Sequence, residues 1–274
     1  MKKVSIYFII LLLITNFIGC DDDSNDNLNF EYPTTTGSKW VYQRIMQTIN
    51  FDSDSLDQIY GISDTTLIIS EITGSAILRD SIETIVLYTD GSKQYYQVKP
   101  DELYIIAYEN AGVGALILPK RTLYTNLSFK NQHFSGLEEF SKVLLQQLPL
   151  TKIVSDSIIF EEPPALTLKY PLQTGTRWNY RESNFPFKIE KQVTGQTILN
   201  LDMGSFECYR IQWYYDFDND GFIDYDISIE DYISKEGLIK RSISAYDVIN
   251  TSENGELVGM FDFFDTYTLT ELFL

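Results

Sequence analysis

One pattern occurs twice in this chain and constrains its fold more than any other feature. Tyr32-Pro33-Thr34-Thr35-Thr36-Gly37-Ser38-Lys39-Trp40-Val41-Tyr42 returns 138 residues later as Tyr170-Pro171-Leu172-Gln173-Thr174-Gly175-Thr176-Arg177-Trp178-Asn179-Tyr180. Within it the proline fixes the backbone entering a turn, the glycine permits a positive φ, and Trp-x-Tyr puts two aromatics on one face of a strand. A repeat at this spacing predicts two copies of one unit, each of ordinary domain size. The expected units are residues 28–160 and 161–274. Glu161-Glu162-Pro163-Pro164 lies between the two motifs, and its prolines suit an extended connection. Trp40 and Trp178 are expected to anchor one core each, with ligand stacking as the alternative use.

Most of the remaining chain reads as strands. Ile82 to Tyr88, Gln94 to Val98 and Leu103 to Tyr108 are β-branched and aromatic runs separated by Asp90-Gly91 and Pro100-Asp101 turns. Cys208 to Tyr215, Ile223 to Ile229, Leu238 to Ile243 and Tyr267 to Leu274 continue the pattern in the second unit. One segment differs: Ser135-Gly136-Leu137-Glu138 has capping-box spacing, and Leu137, Phe140, Leu144 and Leu148 follow at helical intervals. The predicted fold class is mainly β: two related antiparallel β-sandwich or curved-sheet domains, with a short helix covering one sheet of the first.

The first residues predict a location. Met1-Lys2-Lys3 is cationic, Ile6 to Leu13 is apolar, and Gly19 precedes Cys20, so residues 1–19 read as a secretory signal peptide. The apolar run is short for a membrane span. Phe17-Ile18-Gly19-Cys20 resembles a bacterial lipobox, which implies lipidation of Cys20 as the first residue of the mature chain. The acidic Asp21-Asp22-Asp23-Ser24-Asn25-Asp26-Asn27 cannot bury enough surface to offset its ordering entropy, so residues 20–27 are expected to be a lipidated tether. A cysteine followed by an acidic run also resembles the surface-export signal of Bacteroidota lipoproteins. Together with the repeated motif, the chain resembles uncharacterised Bacteroidota surface lipoproteins whose β-domains open with Tyr-Pro-Leu-x-x-Gly-x-x-Trp-x-Tyr. The resemblance implies a lipid-anchored protein of the outer membrane, displayed at the cell surface, and implies no activity.

The formal net charge of -18 falls further when Lys2 and Lys3 leave with the signal. Nucleic acid and anionic lipid are therefore unsuitable partners, since both are held by clustered Lys and Arg. Of the two cysteines, Cys208 has no partner once Cys20 is acylated and is expected to be a small buried strand residue. His133 is the single histidine and lies just before the predicted helix, where a surface or capping role is expected. Gly-x-Ser-x-Gly and Walker-type loops are absent from the sequence, and Gly112-Val113-Gly114 reads as a turn because a third glycine is missing. No catalytic residue is assigned.

The stretch Asp216 to Asp226, DFDNDGFIDYD, carries the remaining chemistry. Asp216, Asp218, Asp220 and Asp224 stand at positions 1, 3, 5 and 9 of a calcium loop, Gly221 at the sharp turn of position 6, and the Phe222 carbonyl at position 7. Ile227 replaces the glutamate that an EF-hand needs at position 12. Alternating apolar residues on both sides make this a hairpin loop and not a helix–loop–helix. It resembles the Asp-x-Asp-x-Asp-Gly-x-x-Asp hairpins of integrin α-chain propellers, which implies a structural calcium. Four carboxylates this close repel one another without a cation; the alternative is a solvated Asp/Asn/Gly turn.

The leading functional expectation is a non-catalytic, surface-anchored module that binds or presents a glycan or protein partner. A second reading is an envelope carrier for a lipid or apolar ligand, held in a cavity of a curved sheet. The third is a glycoside hydrolase working with two carboxylates.

Overall fold

The structure is a computed structural model and describes residues 30–109, 124, 126–130, 132–145, 158–181 and 187–274. The expected signal peptide and tether, Cys20 and Gly112-Val113-Gly114 lie outside the described residues.

Strand follows strand with few interruptions. β1 (Lys39–Ile49), α1 (Asp54–Tyr60), β2 (Ile62–Leu78), β3 (Ile82–Thr89), β4 (Ser92–Lys99), β5 (Glu102–Glu109), β6 (Asn126–Phe129), β7 (Gln132–Phe134), α2 (Leu137–Leu144) and β8 (Ile159–Lys169) precede the second motif. β9 (Arg177–Arg181), β10 (Lys188–Leu201), β11 (Gly204–Asp216), β12 (Ile227–Ser234), β13 (Gly237–Thr251) and β14 (Leu257–Phe273) follow it. The strands form one antiparallel, nearly closed sheet in the order β8-β5-β4-β3-β2-β1-β14-β13-β12-β11-β10-β9, with the β6–β7 hairpin added at the end of β13. Each side of the repeat thus supplies a meander, and the two join where β1 pairs with β14.

This arrangement alters the expected division at residue 160. The two units share one sheet, and the main core draws Met46, Leu103 and Phe140 from the first and Trp178, Ile211 and Phe263 from the second. The physical reason lies in the strand edges: β1 and β14 would each be an open edge in a separate domain, and pairing them removes both. The expected connector also changes role, because Glu161 to Pro164 lie inside β8, which pairs with β5. Ile105 faces Ala165 and Ala107 faces Phe160, so the four intervening residues bulge out of the ladder where proline has no N–H to donate.

The predicted helix exists, with different partners. Gly136, not Ser135, is its N-cap. Ser135 N–H donates to Glu139 at 2.6 Å, while Glu138 turns inward, 3.1 Å from Lys142. Phe140 packs its ring 5.2 Å from Phe263 of β14 and 5.6 Å from Phe129 of β6, so the helix packs on strands from both sides of the repeat. Leu148 lies outside the described residues. The short α1, which buries none of its residues, was not expected; Ser53 caps it by accepting from Leu56 N–H at 3.4 Å. His133 is an exposed strand residue in β7.

Candidate functional site

β11 ends at Asp216 and β12 begins at Ile227, later than the expected Ile223, so the aspartate stretch forms the connecting loop. Carboxylate oxygens of Asp216, Asp218 and Asp220 lie within 4.8 Å of one another. Asp216 is buried, and its two oxygens accept from Asp220 N–H at 3.0 Å and Gly221 N–H at 3.1 Å. Asn219 and Gly221 take the positive φ values, 56° and 90°, that fold the loop back on itself.

Asp224 is not part of that cluster. One of its oxygens accepts from Phe217 N–H at 2.8 Å, and the other stands 3.0 Å from Lys130 Nζ in the β6–β7 turn. Lys130 also pairs with Asp226; these partners raise its pKa, the Asp226 bond most. The structure thus brings together three of the expected ligands and turns the fourth toward a lysine. Two aromatics project from the same loop, Phe222 at 76% and Tyr225 at 81% exposure.

The tryptophans offer no surface platform. Trp40, Trp178 and Trp213 are all buried, and their indole N–H groups donate to Glu236 O, Leu166 O and Asp231 Oδ2 at 2.6, 3.0 and 2.9 Å. Cys208 is buried and unpaired, and burial pushes its thiol up to about 12.

Inside the sheet lies a cavity of about 140 Å³. Ile68, Ile72, Ile85, Leu87 and Leu168 give it an apolar wall, and Lys191, Asp231 and Arg241 are its charged residues. Arg241 Nη2 donates to Asp231 Oδ2 at 2.8 Å, so this pair is mutually satisfied. Lys191 is different. Its Nζ sits 3.8 Å from the Trp213 ring centroid and 4.0 Å from that of Tyr180, and it donates to Thr167 O at a long 3.4 Å. Desolvation holds its pKa well below the ordinary lysine range, opposed by the Asp231 charge.

Two further buried ion pairs fasten the sheet. Arg44 of β1 donates to Asp265 of β14 at 2.7 Å, and Ser141 of α2 adds a bond to Asp265 at 2.8 Å. Arg181 of β9 donates to Glu161 of β8 at 2.6 Å and to Tyr108 at 3.0 Å, spanning the gap between the two ends of the sheet.

The sequence expectation contains none of Lys191, Asp231 and Arg241, although their signal is present. Each interrupts an apolar run at an inward position: Ile189-x-Lys191-x-Val193, Ile229-x-Asp231-x-Ile233 and Ile239-x-Arg241-x-Ile243.

No family model and no curated protein matches the sequence. Two crystal structures are similar at low levels. A candidate lipoprotein from Parabacteroides distasonis has 11% identity and a TM-score of 0.30, covering 88% of this chain and 97% of that one. A candidate exported protein with a YmcC-like fold from Bacteroides fragilis has 10% identity and a TM-score of 0.35, covering 89% of this chain and 99% of that one. Among the described residues no helix is long and apolar enough to cross a membrane.

Proposed function

We propose that the protein is a non-catalytic binding module, lipid-anchored through Cys20 at the outer surface of the outer membrane, with a structural calcium in the Asp216–Asp226 hairpin. The observation that carries this reading is the convergence of Asp216, Asp218 and Asp220 in the same loop that exposes Phe222 and Tyr225. An ion held there by hard oxygen donors would fix the loop and present the two rings to a glycan or protein partner. The Phe222 carbonyl would complete the set, with Asp224 joining once it releases Lys130. A two-carboxylate hydrolase finds less support, since Asp231, Asp265 and Glu161 are each committed to an arginine and Glu138 to Lys142. The interior cavity of about 140 Å³ has no room for a long acyl chain, so a lipid carrier would have to use the wider groove of about 820 Å³ lined by Phe30, Ile198, Phe206 and Tyr209.

Melting is the test for calcium. At roughly 1 mM calcium and a dissociation constant of about 0.1 mM, binding adds roughly 1.4 kcal/mol of stability. Wild type should melt higher with calcium than with chelator, and Asp220→Ala should melt alike in both; equal melting of wild type in the two conditions removes the ion. For the anchor, Cys20→Ser should release the protein from membranes or leave its precursor unprocessed, whereas unchanged membrane fractionation would overturn the lipid attachment.

A further inference from the structure

The charges lining the interior cavity do not balance: Lys191 and Arg241 face a single carboxylate, Asp231, which Arg241 already engages. Lys191 is only 2% exposed, and no carboxylate among the described residues forms an ion pair with it. The other buried cations do have carboxylate partners, Arg44 with Asp265 and Arg181 with Glu161. Thr167, which borders the same cavity and whose carbonyl accepts from Lys191, has a buried hydroxyl without a hydrogen-bond partner. A buried amine without a carboxylate partner and an orphaned hydroxyl, on two residues that line one void, are costly to maintain unless something completes them.

We propose that this cavity binds a small organic monoanion, its carboxylate on Lys191 and the Thr167 hydroxyl and its apolar body against Ile68, Ile72, Ile85 and Leu87. Size and sign are both set by the site. A void of about 140 Å³ is close to the roughly 150 Å³ that accommodates one benzene, which limits the apolar part to a single ring or a short branched chain. The carboxylate supplies the negative charge that the wall lacks. Two aromatic rings flanking Lys191 exclude water from the resulting pair, which strengthens it. Recognition must come from these close contacts, because the protein as a whole carries a net charge of -18 and repels anions at a distance. The site is independent of both the lipid anchor and the aspartate hairpin.

Benzoate is the probe, with benzamide as its neutral isostere and benzamidine as its cationic one, each titrated against the full chain by calorimetry and ligand-observed NMR. Hydrogen bonds to charged groups are worth enough that benzoate should bind roughly 10- to 100-fold more tightly than benzamide, and benzamidine should not bind. Lys191→Met should erase the preference for benzoate. Ile72→Phe, which keeps Lys191 and fills the void, should abolish benzoate binding and remains informative if the lysine variant does not fold. The proposal is overturned if wild type does not bind benzoate at millimolar concentration, if benzoate and benzamide bind equally, or if Ile72→Phe binds benzoate as wild type does.

Discussion

At Gly37 the backbone N–H donates to Ile72 O at 2.8 Å, Ser38 N–H to Thr35 O at 3.1 Å, and Ile72 N–H returns to Ser38 O at 2.9 Å. At Gly175 the same three bonds run to Val193 O at 2.7 Å, to Gln173 O at 2.9 Å and back from Val193 N–H to Thr176 O at 2.9 Å. Both glycines have φ of 95°. Beyond the turn the copies diverge. The first opens an 11-residue strand held between β2 and β14, whereas the second opens a 5-residue strand whose one ladder partner among the described residues is β10. The motif therefore specifies a turn, a strand start and an indole anchored to a distant carbonyl, while strand length and position come from the neighbours. The two copies also meet, since Tyr32 N–H donates to the Tyr170 hydroxyl at 3.2 Å.

The strongest test of that contrast is to remove each tryptophan. Trp40 is fully enclosed at the middle of the sheet, and Trp40→Ala should cost about 3–5 kcal/mol in denaturant unfolding. Trp178 is 5% exposed on the terminal strand, so Trp178→Ala should fall toward the lower end of that range. Equal losses would mean that an edge position relaxes no better than a central one.

A second test uses the residues opposite the tryptophans on the following strand, Ser70 for Trp40 and Lys191 for Trp178. Lys191 is a buried amine without an ion-pair partner among the described residues, so Lys191→Met removes its desolvation cost and should raise the stability of the unliganded protein. The effect should depend on pH. Asp231 on β12, Arg241 on β13 and Arg181 on β9 act on this ammonium, and burial outweighs them in depressing its pKa. The unfolded chain thus binds more protons than the folded one between the depressed value and about 10.4. The cost of Lys191 is full below that window and disappears as pH rises through it. The gain from Lys191→Met should shrink accordingly; a gain constant across the alkaline range would show that packing, not charge, is responsible.

Both motif copies were legible in the sequence because their Pro, Gly and Trp positions act locally. The clustering of Asp216, Asp218 and Asp220 was legible for the same reason. The contact of Asp224 with Lys130 was not legible, because the lysine reaches it from a different hairpin and no local pattern announces such a meeting. The β1–β14 ladder was hidden similarly: it joins segments at opposite ends of the chain, and alternation in either strand does not name its partner. The inward charges are an intermediate case. Tyr42-x-Arg44-x-Met46 and Phe263-x-Asp265-x-Tyr267 show a polar residue where alternation calls for an apolar one, and such an interruption marks a buried charge without identifying its counter-charge.

The β1–β14 pairing also fixes an order of assembly. Synthesis delivers β14 after every other described strand, so β1 waits with one side of its ladder open until residues 257–273 arrive. Contacts between such distant segments form slowly, because loop closure must precede the interactions that reward it. A chain interrupted before Leu257 would carry an unpaired β1 edge through the middle of the molecule, the kind of edge through which unfinished β-proteins aggregate. Completion of the last strand is thus the step that joins two aggregation-prone meanders into one sheet.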